Sequence, residues 1–465
     1  MLRSAALILS GNAANAALLL MRNLLVARLI SVEDYGIAAT FSVAVAIIEM
    51  ASTFGLQQQL VQDKRGDDPK FQEILQGIQL LRGLVNAIIL FALAEPFADF
   101  MGVPQVAWAH KLLGIALIAN GLVHLDMYRL SRRMRYRSGT IVAALSPLAA
   151  IIVIWPLYIF LKDYRVMLWS IIVQTVAVAV VSHWVAERPY RIAFDKLIVK
   201  QSLIFGIPLL FDGILLFIIF NGEKLIIGRE LGMQSLALFS MSITLTLTPA
   251  LILQKTATTF FLPQLSSALD TQHFKQLAAV TMQAHILFGC ILVTSVVLCG
   301  APFVHLVLGA KYQNIIPLLF LLVIMQALRV VKGGGATVSL ARARTSNGMF
   351  ANILRVAVLP IAWYVAVKNG SVSTVIWIGT IGELMGLVVS LVLMQTQLRL
   401  SLRPILAPLS LMLALLVVTG LGGEGKLPNW WPILLLMLGG AAVATTSDLR
   451  FYVRDRTVNH HGNRD

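Results

Sequence analysis

The chain has 465 residues, 58% of them apolar and 13% charged, with a formal charge of +15 and a mean hydropathy of +0.82. Soluble globular domains do not reach this balance, and the composition implies a polytopic membrane protein. Polar segments run to about a dozen residues at most, which excludes a buried-in-sequence soluble catalytic domain.

At the N-terminus, Ala14-Asn15-Ala16 behind a basic Arg3 imitates a signal-peptidase site. The apolar core before it, Ala5 to Leu9, is too short for a signal peptide, so Ser4 to Ile30 reads as a retained first span. Thirteen further spans are predicted near 36–60, 72–95, 106–128, 139–161, 165–186, 202–228, 233–262, 276–308, 313–340, 348–367, 372–398, 404–421 and 430–447. Cys290 and Cys299 fall within one of these apolar runs, where a thiol serves as a small hydrophobe.

Basic residues alternate across the spans. With the N-terminus inside, the cytoplasmic loops carry Lys64, Arg65 and Lys70, then Arg129, Arg132, Arg133, Arg135 and Arg137, then Arg188, Arg191, Lys196 and Lys200. Lys275, Arg342, Arg344, Arg399 and Arg403 continue the series, and the tail adds Arg450, Arg454, Arg456 and Arg464. The opposite loops hold only Lys162, Arg165, Arg229, Lys311, Lys368 and Lys426. The positive-inside rule therefore places both termini in the cytoplasm and accounts for much of the charge without nucleic acid.

LVARLISVEDYGIAA (25–39) is echoed by LIIGRELGMQSLALFS (225–240). Arg28 falls on Arg229, Ile30 on Leu231 and Gly36 on Ala237, all at an offset of 201 residues, or six spans. A parallel repeat follows: an N-lobe at 1–190, a C-lobe at 191–400, two appended helices at 401–447 and a tail at 448–465. In repeat-built transporters the substrate site lies between the halves.

Ionised groups at mid-bilayer are costly and mark candidate functional sites. Away from the predicted helix ends lie Arg22, Arg82, Lys224, Lys255, Arg329, Lys332 and Arg355 against Glu49, Asp212, Glu223 and Glu383, together with His285. Even complete pairing of these seven cations with four carboxylates leaves a positive excess. Arginine binds phosphate bidentately and lysine supplies a point charge, so a phosphate-bearing substrate fits. Asn12, Asn15 and Arg22 share one helix face; Gln326, Arg329 and Lys332 follow at intervals of three, before Gly333-Gly334-Gly335. Arg28 and Arg229, at predicted outer helix ends, read as snorkelling or structural residues. Pro208, Pro249, Pro302 and Pro360 fall inside spans, and Gly206-Ile207-Pro208 is a candidate hinge. No GxxxxGK[ST], HExxH or CxxC motif occurs, so no cofactor or metal is expected.

ARLISVEDYGIAATFS (27–42), QSLIFGIPLLFDG (201–213), LIIGRELGMQSLALFSMS (225–242) and FFLPQLS (260–266) resemble polysaccharide flippases, the O-antigen and exopolysaccharide branch of the multidrug/oligosaccharidyl-lipid/polysaccharide exporter superfamily. The resemblance covers roughly residues 1 to 400 and marks the fold better than the substrate. It implies two six-helix lobes that open alternately to either side of the bacterial inner membrane and move undecaprenyl-diphosphate-linked oligosaccharide to the periplasmic leaflet. Membrane lipid, polysaccharide polymerase and chain-length proteins are the implied partners. On this reading Arg22, Arg82, Lys224, Lys255, Arg329, Lys332 and Arg355 hold the diphosphate, with Asn12, Asn15 and Gln326 as cavity polar groups. Glu49, Asp212, Glu223 and Glu383 are candidates for proton or sodium coupling, and a membrane-potential drive on the anionic substrate is equally allowed. A multidrug or cation antiporter of the same fold would need an acidic cavity, and a polymerase or ligase would need a large outer loop; the residues supply neither.

Overall fold

The computed structural model describes residues 2–454 except Leu269, Thr345, Asn369 and Val453, with side chains from Ala14 onward. Helices make up the regular structure of the described residues, and the chain is an all-α polytopic membrane protein. Nine helices among the described residues are long and apolar enough to cross a membrane, ten if one bent pair counts as a span. The chain divides into two compact units at Ser240/Met241.

The first unit begins with α1 (Leu2–Leu29) and α2 (Val32–Met50), joined at Ser31. Ser31 is a helix N-cap, its hydroxyl oxygen accepting from the Asp34 amide at 3.0 Å, with Glu33 and Asp34 in the first turn where negative charge suits the helix dipole. A short α3 (Leu56–Gln62) precedes α4 (Pro69–Phe100), which Asp68 caps with Pro69 at the start.

The fourth predicted span is the main departure from expectation. In place of one helix over 106–128 the chain forms α5 (Ala107–Leu112), α6 (Gly114–Gly121) and α7 (Asp126–Arg132), with a bend of 44° between the last two. Gln79 of α4 holds the break, its amide nitrogen donating to the carbonyls of Asn120 at 3.0 Å and Val123 at 3.1 Å. At the bend the Asn120 carbonyl keeps only a long bond, 3.4 Å from the Val123 nitrogen, and the buried amide supplements it. α8 (Arg137–Leu161) and α9 (Arg165–Trp184) follow, and α1 packs along α8.

Next, α10 (Lys196–Ser267) carries the seventh and eighth predicted spans as one run broken at Gly232. Gly232 has φ +82°, a left-handed backbone that glycine adopts without strain. At the offset of 201 residues its counterpart is Ser31, so the two echoed segments turn at the same register, once by a serine cap and once by glycine. Pro208 and Pro249 leave α10 helical.

Gly206 and Gly213 pack α10 against the end of α2: an added Cβ would stand 2.8 Å from the Phe54 Cα and 2.2 Å from the Met50 carbonyl oxygen, respectively. Close approach therefore explains the glycine of the Gly206-Ile207-Pro208 motif. Gly36 is tighter still, since a Cβ there would lie 1.9 Å from the Met233 carbonyl oxygen, a backbone atom that cannot rotate away. Gly36→Ala is expected to destabilise the first unit by about 1–3 kcal/mol or more. A thermal unfolding midpoint unchanged from wild type in detergent would contradict this packing.

The second unit contains α11 (Thr271–Phe303), α12 (Ile316–Ala341), α13 (Ser346–Ala357), α14 (Leu359–Val367), α15 (Val372–Gln397), α16 (Arg403–Gly423) and α17 (Trp431–Thr445). The eleventh predicted span is broken between α13 and α14, where Pro360 lacks the N–H that would continue the ladder. Pro302 stands near the end of α11, just before a π-turn at Val304–Leu308. α12 is the most enclosed candidate span among the described residues, with 78% of its apolar window buried against 22–50% in the others. Gly333, Gly334 and Gly335 sit against Gln254, His285 and Ser390, and a Cβ on any of them would come within 3 Å of those side chains. The triple glycine is thus a packing surface inside a continuous helix.

Candidate functional site

The second unit gathers four of the deep charged residues at one place. Gln326, Arg329 and Lys332 recur every three residues on α12 and share a face, as their spacing predicts. Arg355 enters from α13 and Glu383 from α15. Arg329 Nε donates to Glu383 Oε1 at 2.8 Å and its Nη2 lies 2.7 Å from the same oxygen. Lys332 Nζ donates to Glu383 Oε2 at 2.6 Å, and Arg355 Nε to Oε1 at 3.3 Å. All four are buried: Glu383 and Arg355 are 0% exposed, Arg329 6% and Lys332 8%.

Glycine permits this convergence. At Gly386 a Cβ would lie 2.6 Å from the Ala351 carbonyl oxygen, and at Gly382 it would lie 2.6 Å from Val358 and 3.4 Å from the Arg355 Cα. α13 therefore rests directly on the backbone of α15, which brings Arg355 to Glu383. Neutral groups complete the arrangement. Arg329 Nη1 donates to Gln326 Oε1 at 3.1 Å, and Lys332 Nζ donates to Asn352 Oδ1 at 2.9 Å.

Three cations and one carboxylate sum to +2 for these four side chains. Buried charge is costly unless paired and hydrogen-bonded, and Glu383 supplies the counter-charge that holds three cationic groups in one place. Guanidinium forks and an ammonium set this close are suited to an anion with several oxygens, such as a phosphate or diphosphate.

Of the other predicted site residues, Glu49 and Arg82 come together in the first unit, and the rest are dispersed. In the first unit Arg22, 8% exposed, donates through Nη1 to Gln174 Oε1 on α9 and through Nη2 to Asn23 Oδ1 at 3.2 Å. Arg82 donates to the Ser52 carbonyl at 3.3 Å, just past the C-terminal end of α2, where a cation complements the exposed carbonyls. Glu49 accepts from the Asn120 amide, beside Asn86, which donates to the Ser52 hydroxyl at 2.8 Å. Lys224 donates to Asn221 Oδ1 at 3.4 Å, and Glu223 is buried on the same turn of α10.

Asp212 and Lys255 are exposed on α10. Asn15 is half-buried on α1, and the Asn12 side chain lies outside the described residues. Arg229, echo of Arg28, donates to the carbonyls of Asp99 at 3.2 Å and Phe100 at 2.9 Å, and so caps the end of α4. Sequence reasoning passed over Asn352 and Gln174. Asn352 stands one turn before Arg355, and Gln174 is a lone amide within VMLWSIIVQTVAVAVV, so each left a readable signal.

Residues 25–317 match a family model described as polysaccharide biosynthesis protein. Among curated relatives, the lipopolysaccharide biosynthesis protein WzxC of Escherichia coli (strain K12) is 22% identical over 353 residues, covering 72% of this chain and 69% of the relative. An uncharacterized membrane protein in the cps region of Klebsiella pneumoniae is 20% identical over 368 residues, 77% of this chain and 74% of its own. The succinoglycan biosynthesis transport protein ExoT of Rhizobium meliloti (strain 1021) is 26% identical over 223 residues, 46% of this chain and 44% of its own.

Among solved structures, the lipid II flippase MurJ in an inward closed conformation superposes with a TM-score of 0.74 at 14% identity, covering 97% of this chain and 99% of that one. An inward-facing multidrug resistance MATE family transporter of the MOP superfamily gives 0.69 at 14% identity, over 82% and 94%. At such identities these two establish the fold, and they agree with the resemblance read from the sequence motifs. The family match spans well over half of the chain, which therefore belongs to the polysaccharide biosynthesis protein family and has the fold of the multidrug/oligosaccharidyl-lipid/polysaccharide exporter superfamily.

Proposed function

We propose that this bacterial inner-membrane protein is a lipid-linked polysaccharide flippase, a transporter and not an enzyme, that moves undecaprenyl-diphosphate-linked oligosaccharide from the cytoplasmic to the periplasmic leaflet by alternating access. The observation that carries the reading is the convergence of Arg329, Lys332 and Arg355 on Glu383. The diphosphate binds these cations, the saccharide travels in polar surroundings, and the polyprenyl tail stays in lipid. That division avoids desolvating the tail at all.

Glu383 is the stand-in anion of the resting state. It keeps three like charges together until phosphate oxygens take over part of its role, so the site is organised before substrate arrives. A cation antiporter is disfavoured by the same geometry, since three cations surround the carboxylate that a cationic drug would seek. Lys224 and Lys255 on α10 are further candidates for the anionic headgroup, and Asp212 and Glu223 on the same helix for ion coupling. Both termini are cytoplasmic, and polymerase and chain-length proteins receive the product.

Reconstitution in liposomes with a fluorescent undecaprenyl-diphosphate oligosaccharide and a leaflet-specific quencher tests the reading. Wild-type protein is expected to expose the label on both leaflets far faster than empty liposomes do; equal rates would refute the flippase assignment.

A further inference from the structure

On the reading above the cationic cluster takes the diphosphate, and the sugars call for a space that offers neutral donors and acceptors. A cavity of about 430 Å³ in the first unit offers them. It lies among α1, α7, α8 and α9, and its polar lining consists of Asn15, Tyr128, Ser131, Tyr136, Ser146 and Gln174. The rest of the wall is apolar, and no charged side chain lines it. The volume falls in the range of about 300–1,000 Å³ typical of small-molecule sites.

The polar groups are held so as to present both donors and acceptors. Gln174 Oε1 accepts from the Arg22 guanidinium, which fixes the flip of the amide and leaves its Nε2 hydrogens to donate. The Asn15 amide makes no hydrogen bond to any described residue, and it lies on the wall of the cavity. Ser131 and Ser146 donate to the carbonyls of Tyr128 at 2.7 Å and Val142 at 2.9 Å, which leaves their oxygens with lone pairs to accept. Sugar hydroxyls are donors and acceptors at once, and the two tyrosine rings offer faces for the C–H surface of a pyranose. A polyprenyl tail has no use for six polar groups, and a phosphate would want the charge that this wall lacks.

Arg22 takes on a definite part in this arrangement. Its guanidinium sits behind Gln174, out of the lining, and so it positions the amide that would read a sugar hydroxyl.

We propose that this cavity is a saccharide subsite, one that receives the sugar rings of the lipid-linked substrate through neutral amides, hydroxyls and tyrosine faces; the assignment rests on the flippase reading above. Gly139 provides the probe, because it lines the cavity and a Cβ there meets no atom within 4 Å. In a background of Cys290→Ala and Cys299→Ala, Gly139→Cys places one thiol in the cavity, with an unchanged unfolding midpoint as the check on folding. The purified variant is treated with a small maleimide in three conditions: alone, with undecaprenyl-diphosphate oligosaccharide extracted from the cells that make it, and with bare undecaprenyl diphosphate.

The glycosylated lipid is expected to slow labelling by about fivefold or more, and the bare lipid diphosphate by less than about twofold. Equal slowing by both would make the cavity a lipid site and overturn the proposal. Slowing by neither, while wild-type protein still flips the same glycosylated lipid in liposomes, would overturn the subsite and leave the flippase reading standing. Failure of wild-type protein to flip that lipid would refute the flippase reading, and the subsite with it.

Discussion

Replacement of Glu383 by alanine is expected to cost the second unit about 3–5 kcal/mol, because three buried cations lose the carboxylate that faces them. At roughly 2–4 °C per kcal/mol for a unit of this size, the unfolding midpoint in detergent should fall by on the order of 10 °C. Glu383→Gln should fall between wild type and alanine. Its carbonyl still accepts from Arg329 and Arg355, but its amide nitrogen meets the Lys332 ammonium donor to donor. Adding Lys332→Met to Glu383→Ala should recover part of the loss by removing one like charge, and a double-mutant cycle reads that coupling directly. A midpoint within about 1 °C of wild type for Glu383→Ala would show that the carboxylate is not the counter-ion of this cluster.

The second large effect is on transport. Lys332→Met is expected to slow transfer of the lipid-linked oligosaccharide by at least about tenfold, the equivalent of ~1.4 kcal/mol, through loss of one charge-assisted hydrogen bond to phosphate. Its stability cost should be smaller than that of Glu383→Ala, since Glu383 keeps Arg329 and Arg355. Transport and stability thus move in opposite order in the two variants: alanine at 383 damages the fold most, methionine at 332 damages the flipping of an intact fold. Measuring both quantities on both proteins separates a substrate site from a structural ion cluster. If Lys332→Met flips at the wild-type rate, the cluster holds helices together and binds no diphosphate.

The repeat illustrates how far local sequence reaches. The offset of 201 residues aligns Ser31 with Gly232, and both prove to be turns between consecutive helices. A serine cap is legible in SVED, since Ser-x-x-Asp is a helix start in its own right. Gly232 is legible only as a glycine; that it takes φ +82° within a run of helix depends on how the two segments meet it. The bend before Asp126 was not legible at all, because the amide that supports it comes from Gln79, some forty residues away.

By itself the sequence determined the class of the protein, its many apolar helices, the sign of the deep charge and the shared face of Gln326, Arg329 and Lys332. Those properties follow from side-chain polarity and helical period, which are local. Only the tertiary structure decided which carboxylate answers which cation. In the sequence Glu49, Asp212 and Glu383 are equivalent as partners for Arg22, Arg82, Arg329 and Lys332; packing gave Glu383 to Arg329, Lys332 and Arg355, gave Arg22 the amide of Gln174, and set Arg82 on the Ser52 carbonyl with Glu49 nearby. The physical reason is that ion pairing inside a membrane protein is set by contact between helices far apart in the chain, through close approaches such as α13 on Gly382 and Gly386, and a one-dimensional charge pattern contains no such distances.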